Sequence, residues 1–322
     1  MSLRRVEASE ESPHVPSEAL GWSESYSFHL VDPTERLALL SRIGVRPNEG
    51  IMDVGLDVYV ADGGLLAARH VRPQTENTDD LEVEGVRYEM LRPLEEWRIT
   101  YDGPAHSLRS SRDAASHDAW HTSRLERLIV DLRFRAEAAP ASTDAAPERF
   151  GQPGRIDGEV WVSGDEYRLD VGAVREKTWG EAGGVIPKLR RRFWLRFDDG
   201  SAVVLDRRVE ESGDEVLSGW SFVGGRMREI REVRLATETE PDTYLQKSAA
   251  LTVVDDAGEA TEVAAEIVQL APMPTVRGTT QIVVCSSVAR LRSGERAGFG
   301  VVEYLHQLDA SGRPVLPIAE WG

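Results

Sequence analysis

The sequence has a single cysteine, Cys285, among its 322 residues. One thiol excludes an internal disulfide framework and any zinc or iron–sulfur site that is built on several cysteines. Cys285 closes the apolar run Ile282-Val283-Val284-Cys285. Such a run predicts a buried strand, and therefore a structural thiol rather than a nucleophile.

Long hydrophobic runs are also missing. No apolar stretch approaches the roughly 20 residues that a membrane-spanning helix needs. The first residues, Met1-Ser2-Leu3-Arg4-Arg5, lack the apolar core of a secretory signal. These absences predict a cytoplasmic protein, because nothing in the sequence would direct it into or across a membrane.

Positive charge is scarce. The chain has 38 Lys and Arg against 55 Asp and Glu, which gives a formal net charge of −17. A surface this acidic repels phosphate backbones and anionic lipids, so neither nucleic-acid binding nor membrane insertion is expected. Hydrophobic residues still make up 41% of the chain, which is enough to build a core. The composition therefore predicts a globular protein of two domains, or of one large domain.

Metal-binding motifs are almost absent as well. His117 and His121 stand four residues apart, a spacing that places two histidines on one helical face, as in zinc sites. However, Asp118 between them is shorter than the glutamate of metalloprotease helices, and the flanking residues are polar. The segment is therefore predicted to be a solvated connection, and neither a metal nor a cofactor is expected.

The dominant pattern in the sequence is the alternation of apolar and polar residues. The period of two is clearest in residues 128–134, 193–197 and 299–305. Since successive side chains of a strand point to opposite faces, each of these segments offers one face to a core. Helical periodicity is limited to two short segments, residues 33–40 and 111–124.

Tight turns rich in glycine separate several of the predicted strands. They are Asp62-Gly63-Gly64, Asp198-Asp199-Gly200, Gly224-Gly225 and Asp256-Ala257-Gly258. These residues supply the positive φ that tight hairpins need, and strands joined so closely are antiparallel. So many strands must close into barrels or stack as sandwiches to hide their edges. The predicted fold class is all-β, with two consecutive antiparallel barrels or sandwiches and few short helices.

The chain is predicted to divide near its middle. Residues 138–154 are small, rich in Pro and Gly and without a pattern, which indicates a boundary between two β domains, 21–145 and 154–322. Residues 1–20 are polar and show no period, so they are expected to form a mobile N-terminal tail. Exposed edge strands of two copies of the chain could pair, so a homodimer is possible.

A group of charged residues stands where a strand is predicted. Arg175, Lys177 and Trp179 occupy alternate positions, so a strand would put all three on one face. Inside a barrel these charges are costly unless they are paired or bind a ligand. The alternative is an exposed strand whose charges meet water.

Two further segments combine a carboxylate with aromatic side chains. In the first, Trp22, Glu24 and Tyr26 alternate along one face. In the second, Glu303 falls on the apolar face of a strand, and Tyr304 follows it. A carboxylate among aromatic side chains could line a cavity, where burial raises its pKa toward that of a useful acid. The alternative is an ion pair at a barrel rim, or a buried pair with an arginine.

Six segments of the sequence, taken in order and spacing, resemble one known group. They are residues 22–28 (WSESYSF), 42–48 (RIGVRPN), 91–103 (LRPLEEWRITYDG), 154–160 (GRIDGEV), 175–180 (REKTWG) and 300–305 (GVVEYL). The group is the superfamily of the AttH-like proteins and carotenoid 1,2-hydratases, which are lipocalin-like two-barrel proteins. The resemblance covers nearly the whole chain after residue 20.

The resemblance implies two consecutive lipocalin-like barrels with a ligand cavity near their junction. It also implies relatives that hydrate, cyclise or isomerise hydrophobic, often isoprenoid, molecules. Lys177 stands where the hydratase-like members have a histidine of the active site, and Glu176 stands where they have an aspartate. A protonated lysine is a poor substitute for an imidazole in proton transfer unless desolvation lowers its pKa. The alternative role for Lys177 is to anchor a carboxylate or a carbonyl oxygen.

The sequence and the resemblance together predict a cofactor-free acid–base enzyme of the hydratase, cyclase or isomerase type. Its substrate would be a hydrophobic small molecule such as a terpenoid or polyketide. The catalytic candidates are Glu24, Glu303 and Lys177, with either glutamate as the acid. The ligand-binding candidates are Trp22, Tyr26, Arg175, Trp179 and Tyr304.

Two other functions fit the same residues. One is a non-catalytic carrier of lipocalin type, in which Arg175 and Lys177 hold the head group of a fatty-acid-like ligand. The other is an interaction module whose barrels are filled by side chains and have no cavity.

Overall fold

Antiparallel β-strands build almost all of the structure. The computed structural model describes residues 3–74, 80–181 and 186–316. Its strands form a twelve-stranded sheet followed by a closed eight-stranded barrel. The helices that the structure describes are short: one α-helix, α1 (His117–Thr122), and 3₁₀ turns at Ala8–Glu11, Pro47–Glu49 and Ser111–Ala115. The predicted all-β fold class is confirmed.

The twelve-stranded sheet precedes residue 180 and itself contains a barrel. Its strands are β1 (Arg4–Arg5), β2 (Glu24–Val31), β3 (Leu37–Arg46), β4 (Ile51–Val60), β5 (Leu65–Pro73), β6 (Glu82–Val83), β7 (Val86–Arg92), β8 (Glu96–Leu108), β9 (Arg124–Ala136), β10 (Ala141–Thr143), β11 (Ala146–Val162) and β12 (Asp165–Thr178). Eight of them are hydrogen-bonded in a ring, in the order β2, β3, β4, β5, β8, β9, β11 and β12, and β12 pairs with β2 again. This ring is the first barrel.

The second barrel is a simple meander. Its strands are β13 (Leu189–Phe197), β14 (Ala202–Val209), β15 (Glu215–Val223), β16 (Arg226–Thr239), β17 (Gln246–Asp255), β18 (Ala260–Arg277), β19 (Thr280–Ser293) and β20 (Arg296–Leu308). Each strand pairs with the next, and β20 closes the barrel on β13. Cys285 lies on β19 in the core of this barrel, as predicted, and burial raises the pKa of its thiol to about 12. Two consecutive lipocalin-like barrels are thus present.

The four predicted glycine-rich turns are confirmed. They connect β4 to β5, β13 to β14, β15 to β16 and β17 to β18. Between β15 and β16, Gly224 and Gly225 have φ of 57° and 77°. Two consecutive positive φ values are what a type I′ turn requires, so glycine is the residue type that forms this hairpin without strain.

The two sheets divide later in the chain than predicted. The Pro- and Gly-rich residues around 146–154 are not a linker between domains 21–145 and 154–322, because they form the first half of β11. β12 then returns along β11 and pairs with β2, which closes the first barrel. The second barrel begins at Leu189. Local composition indicated a break, but pairing with β12 along its length and with β9 from Gly154 onward made this segment part of a sheet.

The predicted mobile tail is corrected for residues 4–14, because this part of the N-terminal segment is attached to the first sheet. β1 pairs with β10, and the 3₁₀ turn Ala8–Glu11 that follows lies against one end of the first barrel. Val6 and Glu11 are buried. The segment is polar because its polar groups meet charged side chains at that end of the barrel, as described below.

Of the two predicted helical segments, residues 111–124 contain a 3₁₀ turn and α1, whereas residues 33–40 are not helical. Asp32 accepts hydrogen bonds from the Thr34 amide and from Arg36 Nε, both at 3.0 Å. These bonds form the turn from β2 into β3, and the hairpin pairing of the two strands prevails over the local helical pattern.

The two barrels are joined by an apolar cluster. It takes side chains from the outer faces of β2, β3, β12, β13, β14 and β20, among them Val31, Leu40, Val174, Trp194, Val204 and Val301. Because side chains alternate along each strand, odd-numbered and even-numbered residues of a strand point to opposite faces. One face lies in a barrel interior and the other lies at this junction. This alternation decides where each candidate residue lies.

Candidate active site

The charged residues 175–177 of β12 alternate between the two faces of the strand. Arg175 and Lys177 point into the first barrel, and Glu176 between them points to the junction. Both cationic side chains are buried, and the Lys177 side chain is 0% exposed. Burial of two cations requires acceptors close by, and each cation has its own set.

The Lys177 ammonium group is surrounded by oxygen atoms. Its Nζ lies 2.8 Å from Oε1 of Glu24 on the neighbouring strand β2. It also donates to the backbone carbonyls of three consecutive residues of the N-terminal segment, Glu10 (2.7 Å), Glu11 (3.0 Å) and Ser12 (2.7 Å). The positive charge is therefore shared between one carboxylate and three peptide dipoles.

Glu24 is held in its ionised form. His14 donates its backbone N–H to Oε2 at 3.1 Å and lies with Nδ1 2.9 Å from Oε1. Burial by itself would raise the pKa of Glu24, but the bonds from His14 and the charge of Lys177 outweigh it and keep the pKa below its usual range. Burial lowers the pKa of the Lys177 amine, and the charge of Glu24 offsets part of that effect. The two groups form a buried acid–base pair.

Arg175 pairs with a carboxylate from the same N-terminal segment. Its Nη1 and Nη2 donate to the two oxygens of Glu11 at 2.9 and 2.6 Å, and its Nε donates to Gln152 Oε1 at 2.6 Å. This is the planar, two-pronged geometry with which arginine recognises a carboxylate. The site thus holds a carboxylate already, supplied by the chain itself.

Aromatic rings line this end of the barrel. The Lys177 nitrogen lies 4.9 Å from the ring centre of Tyr26 and 5.7 Å from that of Trp179. The Arg175 guanidinium lies 5.6 Å from the ring centre of Trp97. His14 stacks on Trp179 with ring centres 4.1 Å apart. Such faces stabilise cations and would accept an apolar ligand equally well.

The structure brings most of the predicted site residues together. Glu24, Tyr26, Arg175, Lys177 and Trp179 form the one cluster described above. Trp22 is buried two residues before β2 begins.

Glu303 and Tyr304 do not join this cluster. They are neighbours on β20, so they face opposite ways: the Tyr304 ring lies in the core of the second barrel, and Glu303 faces the junction. There Glu303 Oε1 lies 3.5 Å from Arg192 Nη1, and its side chain is 24% exposed. The expectation that Glu303 lines the same cavity as Glu24 is therefore corrected, since they belong to different barrels.

The junction between the barrels holds a second charged cluster. Glu176 accepts hydrogen bonds from Arg149 Nε (2.9 Å), Arg192 Nη2 (3.1 Å) and Trp194 Nε1 (2.7 Å). Beside it lies a void of about 20 Å³, partly lined by Phe150. A volume of this size holds about one water molecule, so a ligand cavity at this place of the junction is not present.

Sequence reasoning missed the partners from the N-terminal segment. Glu11 and His14 stand in a polar stretch with no period, so no local pattern marks them. Gln152 lies in the segment that composition marked as a linker. Only an indirect signal in the sequence could have indicated these partners. Arg175 and Lys177 share one strand face, and burial of two cations requires acids from elsewhere in the chain.

No group of three or more His, Cys, Asp and Glu in the described ranges is arranged to hold a metal ion. His117 and His121 share the exposed face of α1, with their Nε2 atoms 3.2 Å apart. None of the helices in the described part of the chain has the length and apolar character that crossing a bilayer requires.

Comparison with known proteins identifies a family and a fold. The model of a family described as a domain of unknown function (DUF7064) matches residues 7–308. No curated protein matches the sequence. Solved structures match over nearly the whole chain. A protein from Nitrosomonas europaea that is described as a putative AttH has a TM-score of 0.61 and 11% identity, over 88% of this chain and 91% of that one.

Two further structures are similar to the same degree. Kievitone hydratase from Nectria haematococca has a TM-score of 0.59 and 10% identity, over 94% of this chain and 93% of that one. The structure of CghA with Sch210972 has a TM-score of 0.58 and 10% identity, over 92% of this chain and 94% of that one. The predicted resemblance to the AttH-like superfamily is confirmed at the level of the fold, which is what identities this low establish.

Proposed function

The chain belongs to the family described as a domain of unknown function (DUF7064), and on that premise we propose that it is a cofactor-free acid–base enzyme of the hydratase, cyclase or isomerase type. Its substrate is a hydrophobic small molecule that carries a carbonyl group, such as a terpenoid or polyketide. The observation that carries the proposal is the buried pair of Lys177 and Glu24 at the aromatic end of the first barrel. The shared fold with kievitone hydratase supports it.

Lys177 is suited to donate a proton and Glu24 is suited to accept one. Burial lowers the pKa of Lys177, so its ammonium group gives up a proton, or shares it with a developing oxyanion, more readily than an exposed lysine does. Glu24 is ionised and can accept a proton. Glu24 is thus proposed as the base, in place of the acid expected from the sequence.

Hydration of a carbon–carbon double bond conjugated to the carbonyl uses both groups. Glu24 takes a proton from water while the water oxygen bonds to the β-carbon, and the electron pair of the double bond moves toward the carbonyl oxygen. Lys177 and Arg175 stabilise the negative charge on that oxygen. Glu24 then returns its proton to the α-carbon, so that one water is added and both groups are restored. The reverse sequence is a dehydration.

The substrate has to replace groups of the N-terminal segment. The carbonyls of Glu10, Glu11 and Ser12 and the carboxylate of Glu11 now supply the acceptors of Lys177 and Arg175. We take their oxygens to mark where substrate oxygens bind. The segment is anchored upstream by the two-residue strand β1, and a short edge strand is a hinge that can open at modest cost.

The experiment measures incorporation of ¹⁸O from labelled water into a panel of conjugated terpenoid and polyketide ketones, followed by mass spectrometry. We expect the wild type to add one labelled water to at least one panel member. Glu24→Gln and Lys177→Met each lower kcat/KM by about 10²–10⁴-fold, the usual contribution of one general acid or base. The double variant removes both charges, leaves no unpaired buried ion, and is expected to fold and to be as inactive as either single variant.

The matched controls are Glu262→Gln and Lys247→Met, which change the same residue types at exposed positions of the second barrel. Both are expected to keep wild-type rates. Product formed at equal rates by the double variant and the wild type would contradict the assignment of Lys177 and Glu24. Absence of any ¹⁸O-labelled product with the whole panel would contradict the hydration reaction, and absence of any change in the mass or retention of every panel member would contradict an enzyme.

A second candidate is the non-catalytic carrier, and one observation favours it. Arg175 already holds the carboxylate of Glu11 in a two-pronged pair, so this end of the barrel is built to bind a carboxylate. A carrier would bind a fatty acid there and release it unchanged. Binding that survives Glu24→Gln, together with no incorporation of ¹⁸O, would favour the carrier over the enzyme.

A further inference from the structure

The second barrel has a charged end of its own. Arg191 is on β13, and its side chain points inward together with those of Phe193 and Leu195, which belong to the core of that barrel. The residue is 3% exposed. An arginine in the interior of a barrel requires either a negative partner or a ligand.

In the described ranges, no carboxylate lies within ion-pair distance of Arg191. Its Nη1 donates to the backbone carbonyls of Arg190 at 3.1 Å and Leu305 at 3.3 Å, and its guanidinium lies 3.9 Å from the ring centre of Tyr304. Burial lowers the pKa of the Arg191 guanidinium to about 10, which still leaves it charged at neutral pH. The interior therefore carries a positive charge that no acid among the described residues offsets at close range.

Polar groups on the neighbouring strands surround this charge. Arg207, the cross-strand partner of Arg191 on β14, pairs with Glu215 at 2.8 Å. The Tyr304 hydroxyl forms a hydrogen bond of 2.7 Å with Thr237 Oγ1. His306, two residues after Tyr304, is buried, and its Nε2 has no hydrogen-bond partner in the described structure. An unsatisfied buried nitrogen beside an unpaired cation is typical of a ligand site.

An opening in the barrel wall lies beside these residues. β15 pairs with β16 only from Trp220 to Val223, so the first half of β15 is separated from β16 in the described sheet. The gap forms a groove of about 550 Å³ that Arg207, Leu217 and Val233 line. Leu217 and Val233 also pack on the barrel core, so one wall of the groove is apolar and leads inward.

We propose that the second barrel binds a small organic carboxylate with an apolar body, which enters between β15 and β16 and pairs its head group with Arg191. A carboxylate matches the Arg191 guanidinium in charge and in its planar, two-pronged geometry. Leu217 and Val233 contact the apolar body. Glu215 and Glu232 on the groove repel a doubly charged phosphate more strongly than a carboxylate. This site lies in the other barrel and does not depend on the proposed function.

Isothermal titration calorimetry with octanoate tests the site in the full-length protein. Octanol has the same chain without the charge, and inorganic phosphate has charge without the chain. We expect octanoate to bind wild type at least about tenfold more tightly than octanol does, and phosphate to show no binding. Arg191→Gln is expected to weaken octanoate binding by at least about tenfold. Arg191→Lys, which keeps the charge and loses the planar fork, is expected to weaken it less.

The control is Arg226→Gln, which removes the same charge at the exposed start of β16 and is expected to bind octanoate as the wild type does. Circular dichroism and the melting temperature establish that each variant is folded. Octanoate that binds Arg191→Gln as tightly as the wild type, or that does not bind the wild type, would overturn the proposal. Binding of phosphate without binding of octanoate would overturn the assignment of a carboxylate.

Discussion

At the scale of single residues, two histidines are buried without the hydrogen bonds that such burial requires. His29 stacks on Trp194 with ring centres 4.0 Å apart, and neither of its ring nitrogens has a partner in the described structure. Burial lowers the pKa of His29 to about 3 and that of His306 to about 2. Both are therefore neutral in the folded protein at neutral pH, whereas an unfolded histidine gains a proton near pH 6.5.

These shifts predict a loss of stability on mild acidification. A histidine whose pKa is depressed by folding contributes its full stability above the unfolded value, and that stability is lost as pH falls toward the folded value. Each histidine is expected to lower the free energy of unfolding by about 1.4 kcal/mol per pH unit below about pH 6. Urea unfolding between about pH 6 and pH 5 measures the slope before most carboxylates begin to titrate.

Replacement of His29 isolates its contribution to the slope of the free energy of unfolding against pH. His29→Phe keeps the ring against Trp194 and removes the titrating group, so the slope is expected to fall by about 1.4 kcal/mol per pH unit. His121→Phe, on the exposed face of α1, is the control and should leave the slope as it is. An unchanged slope in His29→Phe would show that the acid sensitivity lies in other groups.

At the scale of secondary-structure elements, β11 closes the first barrel by lying very close to β9. Gly158, opposite Leu132, has φ of 138°, and a Cβ atom there would overlap the carbonyl oxygen of Asp131. Gly154 is equally restricted, because a Cβ would meet the ring of Phe134. The absence of side chains at these positions allows a segment rich in Pro and Gly to serve as a barrel strand.

Gly158→Ala is therefore expected to destabilise the protein by at least about 2 kcal/mol. An alanine at this position would have an unfavourable φ. Its Cβ would also clash with the backbone of β9, which cannot move without breaking the pairing of β9 with β11. Gly164→Ala, in the turn between β11 and β12, is the matched control: its φ is 103°, but nothing lies within 4 Å of the added Cβ. If both variants lose the same free energy of unfolding, the close approach of β11 and β9 has no energetic consequence.

At the scale of the whole molecule, a buried network of charges joins the two barrels. Arg149 of the first barrel contacts both Glu176 of its own barrel and Asp206 of the second. Asp206 also accepts from Arg190 Nε at 2.9 Å, and Glu176 accepts from Arg192 of the second barrel. Burial opposes ionisation of both carboxylates, but the surrounding arginines outweigh it and lower the pKa of each. The two barrels are thus joined by buried charged side chains that stabilise one another's charge.

Asp206→Ala is expected to lower the free energy of unfolding by about 3–5 kcal/mol, because it removes the buried acid that both Arg149 and Arg190 contact at the junction. Asp102→Ala is the control, since it breaks an equally well-formed pair with Arg127 on the surface, where water screens the charges. The control is expected to lose much less stability in the same urea titration. Similar losses in the two variants would contradict a structural role for the network at the junction.

The sequence by itself determined the local structure of this protein. Period-two alternation and glycine-rich turns located the hairpins, because both signals act between residues only a few positions apart. Alternation also placed Arg175 and Lys177 on one strand face and set Glu176 apart from them. The same signals brought Glu24 and Tyr26 to one face. Most of the candidate site could therefore be predicted, since its strands carry the pattern themselves.

Only the tertiary structure decided which strands close each barrel and what meets the buried charges. Strand β12 returns to β2 across more than 100 residues, and Glu11 reaches Arg175 across a comparable distance in sequence. No local pattern encodes such partners, because they are selected by the free energy of pairing buried charges and sheet edges throughout the fold. For the same reason, composition marked residues 1–20 as a tail although residues 10–14 complete the site, and Glu303 was grouped with residues that lie in the other barrel.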